Sequence, residues 1–439
     1  MLEPLYTADE MRAAEAGHDV EAMMEQAGRG VAEAVLRRFP EARRIACVCG
    51  RGANGGDGRI AARVLREAGR DAVEELDGPA DVVVDALFGT GFHGDPRRDA
   101  AALISRMNGA GVPVVAVDVP SGVNASTGEV AGEAVRATVT VTMHAPKVGL
   151  VVAPGRFHAG EIDVVDIGLE HAETEHRLVT DEILAQVPRR RDGDNKYTAG
   201  AVLVVGGAPG LTGAVCLAAE AAFRADAGYV AVAAPEASLP VIEQRLLEAV
   251  KRPLDEIDDV LPRMRALALG PGLGRGDAER ALVRRLLSDS SLPAVVDADG
   301  LHELEPFTRD APTVLTPHEG ELARLLGEES RWVAAHRLEA LSRGVERYGC
   351  VVLLKGADTL VGAPGARVLV RSANAPGLAT AGTGDVLTGI VAAFLAKGMD
   401  AQLTAAAASV AQARAARLAP QQAGLVASDV VAHLPRALA

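Results

Sequence analysis

Apolar residues along this chain fall into two alternating periods. Short, nearly unbroken apolar runs recur: Arg44-Ile-Ala-Cys-Val-Cys49, Asp81-Val-Val-Val-Asp85-Ala-Leu-Phe88, Pro113-Val-Val-Ala-Val-Asp118, Ala201-Val-Leu-Val-Val205, Ala266-Leu-Ala-Leu269, Ala294-Val-Val-Asp297 and Cys350-Val-Val-Leu-Leu354. Strands buried on both faces of a parallel sheet have this pattern. Between the runs the spacing is helical. Residues 1–39 are predicted as two helices, the first capped by Thr7. The second carries Val20, Met23, Met24, Ala27, Val31 and Val35 on one face, and its methionines are assigned to the core. Further helices are expected over residues 60–68, 97–108, 214–227, 239–250 and 386–395. Strands are expected at 229–234 and from Thr313, with a hairpin over 359–370 turning at Ala363-Pro-Gly. Alternating strand and helix implies an α/β chain with mostly parallel sheets. A polar, charged stretch around residues 177–192 marks a seam, which divides the chain into domains 1–185 and 186–439.

The 439-residue chain carries a formal net charge of −14, which argues against a nucleic-acid surface. Forty-seven glycines and few aromatics suit tight βα turns. Four scattered cysteines with no CxxC pair suit reduced thiols. The N-terminus does not read as a signal peptide, and no stretch is long and apolar enough to span a bilayer. The expectation is a cytoplasmic protein without a membrane or nucleic-acid partner.

Chemistry gathers where strands run into glycines. Residues 374–385, Asn374-Ala-Pro-Gly-Leu-Ala-Thr-Ala-Gly-Thr-Gly-Asp385, form a small-residue turn that ends in an acid and opens an apolar helix. A helix N-terminus offers unpaired N–H groups to a phosphate, and a carboxylate there is placed to take a proton from an attacking hydroxyl. In the first half, Gly50-Arg-Gly-Ala-Asn54-Gly-Gly-Asp57-Gly lies between a strand and a helix, but it matches neither a dinucleotide fingerprint nor a P-loop. Asn54 and Asp57 add oxygen donors that suit a hard cation. Asp57, Asp85, Asp118 and Ser121 sit at or just after strand ends, the edge where open parallel sheets bind ligands. Taken singly, His318, Lys355, Asp297 and Asp299 read as turn or surface residues. Together they lie on loops that share an edge with Asp385.

Several of these runs carry a family resemblance. Arg51-Gly-Ala-Asn-Gly-Gly-Asp-Gly58, Asp85-Ala-Leu-Phe-Gly-Thr-Gly91, Asp118-Val-Pro-Ser-Gly122, Ala145-Pro-Lys147-Val-Gly149 and Met23-Met-Glu-Gln-Ala-Gly28 resemble the NAD(P)H-hydrate epimerase family. The second half resembles the ADP- or ATP-dependent NAD(P)H-hydrate dehydratases. The runs that carry this are Gly206-Gly with Thr212-Gly-Ala, Gly270-Pro-Gly-Leu-Gly274, Asp297-Ala-Asp299, Leu315-Thr-Pro-His318 with Glu321, Lys355-Gly-Ala-Asp-Thr359 and Ala381-Gly-Thr-Gly-Asp385. The resemblance implies two three-layer αβα domains, Rossmann-like and then ribokinase-like, in the order of the fused bifunctional repair enzyme. The substrates would be NADH hydrate and NADPH hydrate, with ADP or ATP as co-substrate.

By the same resemblance Ala53, Asn54, Gly55, Gly56, Asp57, Gly89, Thr90, Gly91, Phe92, His93, Gly94, Asp95 and Asp118 meet the hydrated nucleotide. Asn54, Asp85 and Ser121 hold K⁺. Inversion at C6 needs an acid that helps the hydroxyl leave, and Asp118 is expected to serve, with Asp57 second. In the second domain Ala214, Gly272, Gly274, His318 and Asp385 meet the substrate. Lys355, Gly356, Ala357, Asp358, Thr359 and Gly384 meet the adenine nucleotide, Mg²⁺ shields its phosphates, and Asp385 is the base. A homo-oligomer is expected. The chain departs from the families at Ala53, where asparagine is usual, at Asn195-Lys196, where His-Lys is frequent, and at His302, where asparagine is frequent. Two other readings use the same residues: a small-molecule kinase acting on a vitamin-precursor alcohol, and a nucleotide-binding regulator whose first domain is inactive.

Overall fold

A computed structural model describes residues 2–372 and 375–439. Asn374, the first residue of the glycine turn, lies outside the described residues. The chain forms two compact units. One comprises residues 4–177 and 334–337, the other residues 1–3, 178–333 and 338–439.

The first unit holds a six-stranded sheet in the order Asp71–Val73, Arg44–Cys49, Val82–Ala86, Val114–Val117, Val139–Met143, Glu161–Val165, with every pairing parallel. Its two faces are apolar because successive side chains alternate across each strand. Ile45, Cys47, Val82 and Val84 pack one way with Val31, Val35 and Leu65. Val48, Val83 and Val114 pack the other way with Ile104 and Met107. The second unit repeats the scheme on a larger sheet. From Val250–Pro253 inward the order is Tyr229–Ala234, Ala201–Val205, Ala266–Leu269, Ala294–Val296, Thr313–Leu315, Val351–Leu354, then Thr359–Gly362 and Val368–Arg371. The strands from Val250–Pro253 through Val351–Leu354 pair in parallel, and the hairpin at 359–371 is antiparallel. Val202, Val204, Val230 and Val232 face the helices Thr212–Arg224, Thr383–Ala396 and Ala401–Leu418. Leu203, Val205, Ala231 and Ala233 face the opposite layer, with Leu286 and Leu287. Both units are therefore three-layer α/β sandwiches. Among the described residues no helix is long and apolar enough to cross a membrane, and all four cysteines are free thiols.

Several local expectations need correction. The chain opens on a strand, Leu2–Leu5, before the helices Ala8–Glu15 and Val20–Arg38. Thr7 caps the first in a reciprocal box with Glu10, and Asp19 caps the second. The helix expected from residue 60 starts at Ala53, so Asn54 and Asp57 stand on its first turns rather than in a loop. Its glycines serve close approach. A Cβ on Gly55 would fall 2.0 Å from the Gly50 carbonyl oxygen, and one on Gly58 would fall 2.4 Å from Ala86 Cβ. The helix expected over 239–250 stops at Arg245, and Val250–Pro253 is an edge strand. The strands Asp71–Val73, Val139–Met143 and Glu161–Val165 had no expectation.

Candidate active sites

In the first unit the strand ends open into a cavity of about 1060 Å³. Ala53, Asn54, Asp57, Gly89, Thr90, Gly91, Phe92, His93, Asp95 and Asp118 line it. Gly55 backs onto Gly50, Gly56 holds Met24 Cε, and Gly94 bends the loop at φ 77°, so these three support the lining from behind. Met23 and Met24, assigned above to the core, line the cavity, as do Glu15 and the stacked pair Phe88–Phe92. Asp85 and Ser121 lie under its floor, 0% and 1% exposed.

Asp118 follows the strand Val114–Val117 at φ 65°, a left-handed backbone that non-glycine residues rarely adopt. The conformation brings its carboxylate to Lys147, whose ammonium is wholly buried and lies 2.6 Å from Oδ1. The Thr142 hydroxyl and the Met143 N–H donate to the same oxygen, at 3.0 and 3.3 Å. Lys147 also donates to the Met143 carbonyl at 2.7 Å. A buried ammonium with an acid, a carbonyl and a hydroxyl around it is a fixed cation. Asp57 faces the same space with its Oδ1 buried and, among the described residues, without a hydrogen-bond partner. Burial first, then the charges of Asp118 and Glu15, raise its carboxyl to about 8, so it carries a proton at neutral pH. Glu15 is raised by burial and by Asp118, against the opposing pull of Lys147. The site thus combines a protonated acid, a carboxylate and a buried cation. The role of Lys147 was not legible, because 29 residues separate it from Asp118 and only the parallel pairing of the two strand ends joins them.

Below the floor, Asp85 accepts from Ser121 N–H (2.8 Å), Ser121 Oγ–H (2.7 Å) and Leu87 N–H (3.2 Å), all neutral donors. Burial raises its carboxyl to about 6 against those bonds. Asn54 Nδ2 donates to the Phe88 carbonyl at 2.7 Å, and the Phe88 N–H donates to Ser121 Oγ. A buried acid surrounded by hydroxyl, amide and carbonyl oxygens fits a hard cation held by oxygen alone.

In the second unit Asp385 is the one charged residue of the helix Thr383–Ala396, and it stands in its first turn. Gly382 caps that helix at φ 86°, where a Cβ would strike Leu217 Cδ1 at 2.7 Å. Beside Asp385, Lys355 Nζ lies 2.7 Å from Asp297 Oδ1 and 3.8 Å from Glu321 Oε2. The Thr388 hydroxyl, one turn along the same helix, donates to Asp297 Oδ2 at 2.7 Å. Burial alone would raise Asp297, but the Lys355 charge and the hydrogen bonds from Lys355 and Thr388 hold it below the usual range. Burial would lower Lys355, but Asp297 and Glu321 keep it above its ordinary value. For Asp385 the balance falls the other way. Burial first, then Asp297, with Asp299 and Glu321 adding, push its carboxyl to about 7 despite Lys355. That is the range in which a carboxylate is an effective base at neutral pH.

Gly384 lies over this pair, since a Cβ there would stand 3.5 Å from Lys355 Nζ and 3.6 Å from Asp297 Oδ2. His318 caps the helix Glu319–Leu326, where its Nδ1 accepts from Gly320 N–H at 3.0 Å and its own N–H donates to Glu321 Oε2 at 2.8 Å. The acceptor role leaves the proton on Nε2, on a side chain that is 55% exposed. The loop 270–274 packs on the start of the helix Thr212–Arg224, with a Cβ on Gly272 falling 3.2 Å from Ala214 Cβ. The Gly274 N–H donates to Asp299 at 3.0 Å. Ala214, Gly272, Gly274, His318, Lys355, Gly384 and Asp385 are thus linked through neighbouring contacts. Gly356 and Ala357 are exposed, while Asp358 and Thr359 are buried, with the Thr359 hydroxyl accepting from Arg371. Thr388 was missed by sequence reasoning; its i+3 spacing from Asp385 was the available signal.

Residues 202–436 match the family model described as NAD(P)H-hydrate dehydratase, and residues 20–75 and 70–149 match that of the YjeF-related protein N-terminus. The chain is 38% identical to the bifunctional NAD(P)H-hydrate repair enzyme Nnr of Moorella thermoacetica, over 95% of this chain and 92% of the relative. It is 32% identical to the enzyme of the same name from Escherichia coli, over 94% and 88%. Among solved structures it resembles an ADP/ATP-dependent NAD(P)H-hydrate dehydratase from Bacillus subtilis, co-crystallised with ATP and Mg²⁺. That match has a TM-score of 0.55 and 28% identity, and covers 59% of this chain and 96% of that one.

Proposed function

The chain belongs to the family of bifunctional NAD(P)H-hydrate repair enzymes, and from that premise we propose how its two sites divide the work. The enzyme restores NADH and NADPH from their hydrates. We assign residues 1–185 to interconversion of the R and S hydrates and residues 186–439 to nucleotide-dependent dehydration of the S form. ADP, yielding AMP and phosphate, is our choice of co-substrate. The observation that carries the second assignment is Asp385, a carboxyl raised to about 7 on the first turn of a buried helix, beside the Lys355–Asp297 pair.

Asp385 takes the proton of the C6 hydroxyl as its oxygen attacks the terminal phosphate, which lies on the N–H groups of the glycine turn. The phosphorylated oxygen is a good leaving group, and its departure as phosphate with loss of a ring proton restores the double bond. Lys355 lies where it offsets phosphate charge, and Asp297, itself held by the Thr388 hydroxyl, keeps it in place. Asp297, Asp299 and Glu321 lie around Asp385, and a Mg²⁺ carried in on the nucleotide phosphates would supply charge shielding there.

In the first domain Asp57 donates its proton to the C6 hydroxyl, which leaves as water while the ring nitrogen's electron pair flattens C6. The Asp118 carboxylate, fixed by Lys147, faces that positive charge. Water then adds to the other face and releases a proton to solvent, and Asp57 regains its own from solvent. Asn54, Asp85 and Ser121 are the residues we assign to K⁺, whose charge would offset the buried Asp85 beneath the cavity. Replacing K⁺ by tetramethylammonium is expected to slow epimerisation about tenfold or more while S-hydrate dehydration by the same chain is kept. Equal epimerisation in both salts would remove this ion site.

The whole assignment is tested with a mixture of R and S NADH hydrate, Mg²⁺, K⁺ and either ADP or ATP, following the near-ultraviolet absorbance of reduced nicotinamide. Recovery of NADH from both epimers is expected, and the faster nucleotide is read directly. No recovery with either nucleotide, or net phosphate transfer to a stable alcohol, would overturn it.

A further inference from the structure

The segment that carries Lys147 is tied down by a residue outside the sheet. Tyr6 is fully buried, and its main chain brackets the lysine. Its N–H donates to the Pro146 carbonyl at 3.1 Å, and its carbonyl accepts from the Val148 N–H at 3.0 Å. Tyr6 and Lys147 thus form an isolated parallel bridge. The segment ahead of the helix Ala8–Glu15 is itself held, since the Ala8 N–H donates to Ser126 Oγ at 2.9 Å.

The Tyr6 hydroxyl makes a second connection. It accepts from the Ala172 N–H at 2.8 Å and lies 3.0 Å from His144 Nε2. His144, three residues before Lys147, is 5% exposed and held at φ 66°. Its ring meets Tyr6 edge-on at 5.0 Å and lies on His171 at 4.6 Å. A phenol has one proton to give, and its oxygen, which already accepts from the Ala172 N–H, can either donate that proton to Nε2 or accept from Nε2–H. We take the first arrangement, a neutral ring with its proton on Nδ1, in keeping with the burial that lowers this imidazole. The charged groups facing the imidazole are Lys147, His171 and Asp166. Burial first, then His171 and Lys147, hold it below the ordinary histidine value, against Asp166.

We propose that Tyr6 is a positioning residue for epimerisation: its main chain and its hydroxyl, acting through a neutral His144, set the 144–148 turn so that the Lys147 ammonium stands on Asp118. The proposal rests on the reading of Asp118 and Lys147 as the epimerase centre. If His144 took up a proton, Nε2 would become a donor, the phenol proton would lose its acceptor, and a second cation would stand behind Lys147.

The test uses the full chain with Tyr6→Phe, which keeps the ring and the main-chain bracket and removes only the hydroxyl. The epimerisation kcat is expected to fall about fivefold or more, the equivalent of one hydrogen bond, with KM unchanged. The acid limb of kcat is expected to move to higher pH, because the neutral imidazole has lost its donor. Dehydration of the S epimer by the same molecule, the internal control for folding, is expected to be unchanged. His144→Asn, whose side chain tolerates the left-handed backbone and does not titrate, is expected to remove that limb. An unchanged kcat and acid limb in Tyr6→Phe would overturn the proposal and leave the epimerase reading intact. A parallel loss of both activities with a lowered Tm would reduce Tyr6 to a packing residue. A wild-type chain that dehydrates the S hydrate but never epimerises would overturn the epimerase reading and this proposal with it.

Discussion

Replacing Asp385 by asparagine is expected to lower S-hydrate dehydration by on the order of a thousandfold while epimerisation by the same chain is unchanged. Asparagine keeps the size of the side chain and its place in the first helical turn, and removes only the base. The wild-type rate should rise with pH through about 7, where the Asp385 carboxyl ionises, and the residual rate of the variant should lack that limb. Stability should move the other way. The folded carboxyl is raised, so between the ordinary carboxylate range and about 7 the folded chain keeps a proton that the unfolded chain has already released. Ionising Asp385 therefore costs folding free energy, and the cost is complete above about 7. The variant has no such cost and should show a Tm at or above wild type at pH 8. Activity lost with Tm gained is the signature of a base kept at the expense of stability. Retention of most of the dehydration rate would remove Asp385 from the mechanism.

The second large effect is expected at the Asp118–Lys147 pair. Asp118→Asn and Lys147→Met should each lower epimerisation by on the order of a hundredfold, towards the uncatalysed interchange of the epimers. Dehydration of pure S hydrate should survive in both. Asp118→Asn leaves the Lys147 ammonium buried without its partner, which costs about 3 to 5 kcal/mol, whereas Lys147→Met strands a carboxylate that opens on the cavity and costs less. Lys147 is wholly buried and Asp118 is 14% exposed, so the larger loss of Tm is expected in Asp118→Asn. The double variant should be less destabilised than the sum of the two, because it leaves neither charge stranded. Stability differences that simply add would mean that the 2.6 Å contact does not couple the two residues. Full epimerisation by Lys147→Met would return the site to the carboxyls alone.

The class of fold was legible because buried parallel strands are near-continuous apolar runs. All seven runs that open the sequence argument are strands in the structure, apart from a residue or two at their ends. The position of Asp385 was legible for a related reason. A single charge at the head of a fourteen-residue apolar helix is a local pattern, and it needs no partner to be seen. The early start of the helix at Ala53 was hidden because its first residues are mostly glycine and asparagine, which lack helical propensity and are held there by Gly50, Ala86 and Met24. Val139–Met143 was hidden because it alternates valine with threonine, and its threonines are buried by bonds to partners elsewhere, such as Thr140 with the Ala159 carbonyl.

Two α/β units with mostly parallel sheets, the strand ends on which chemistry collects, and the candidate acids Asp57, Asp118 and Asp385 were legible in residue order alone. The protonation of Asp57 and Asp385, and the partners that hold all three acids, came from packing. Asp57 keeps a proton because it is buried and because Asp118 and Glu15 crowd it, Asp118 is matched by Lys147, and Asp297 takes the ammonium that would otherwise lower Asp385 further. These are through-space interactions between residues far apart in sequence. Their strength depends on distance and burial, which residue order does not encode locally and which packing sets.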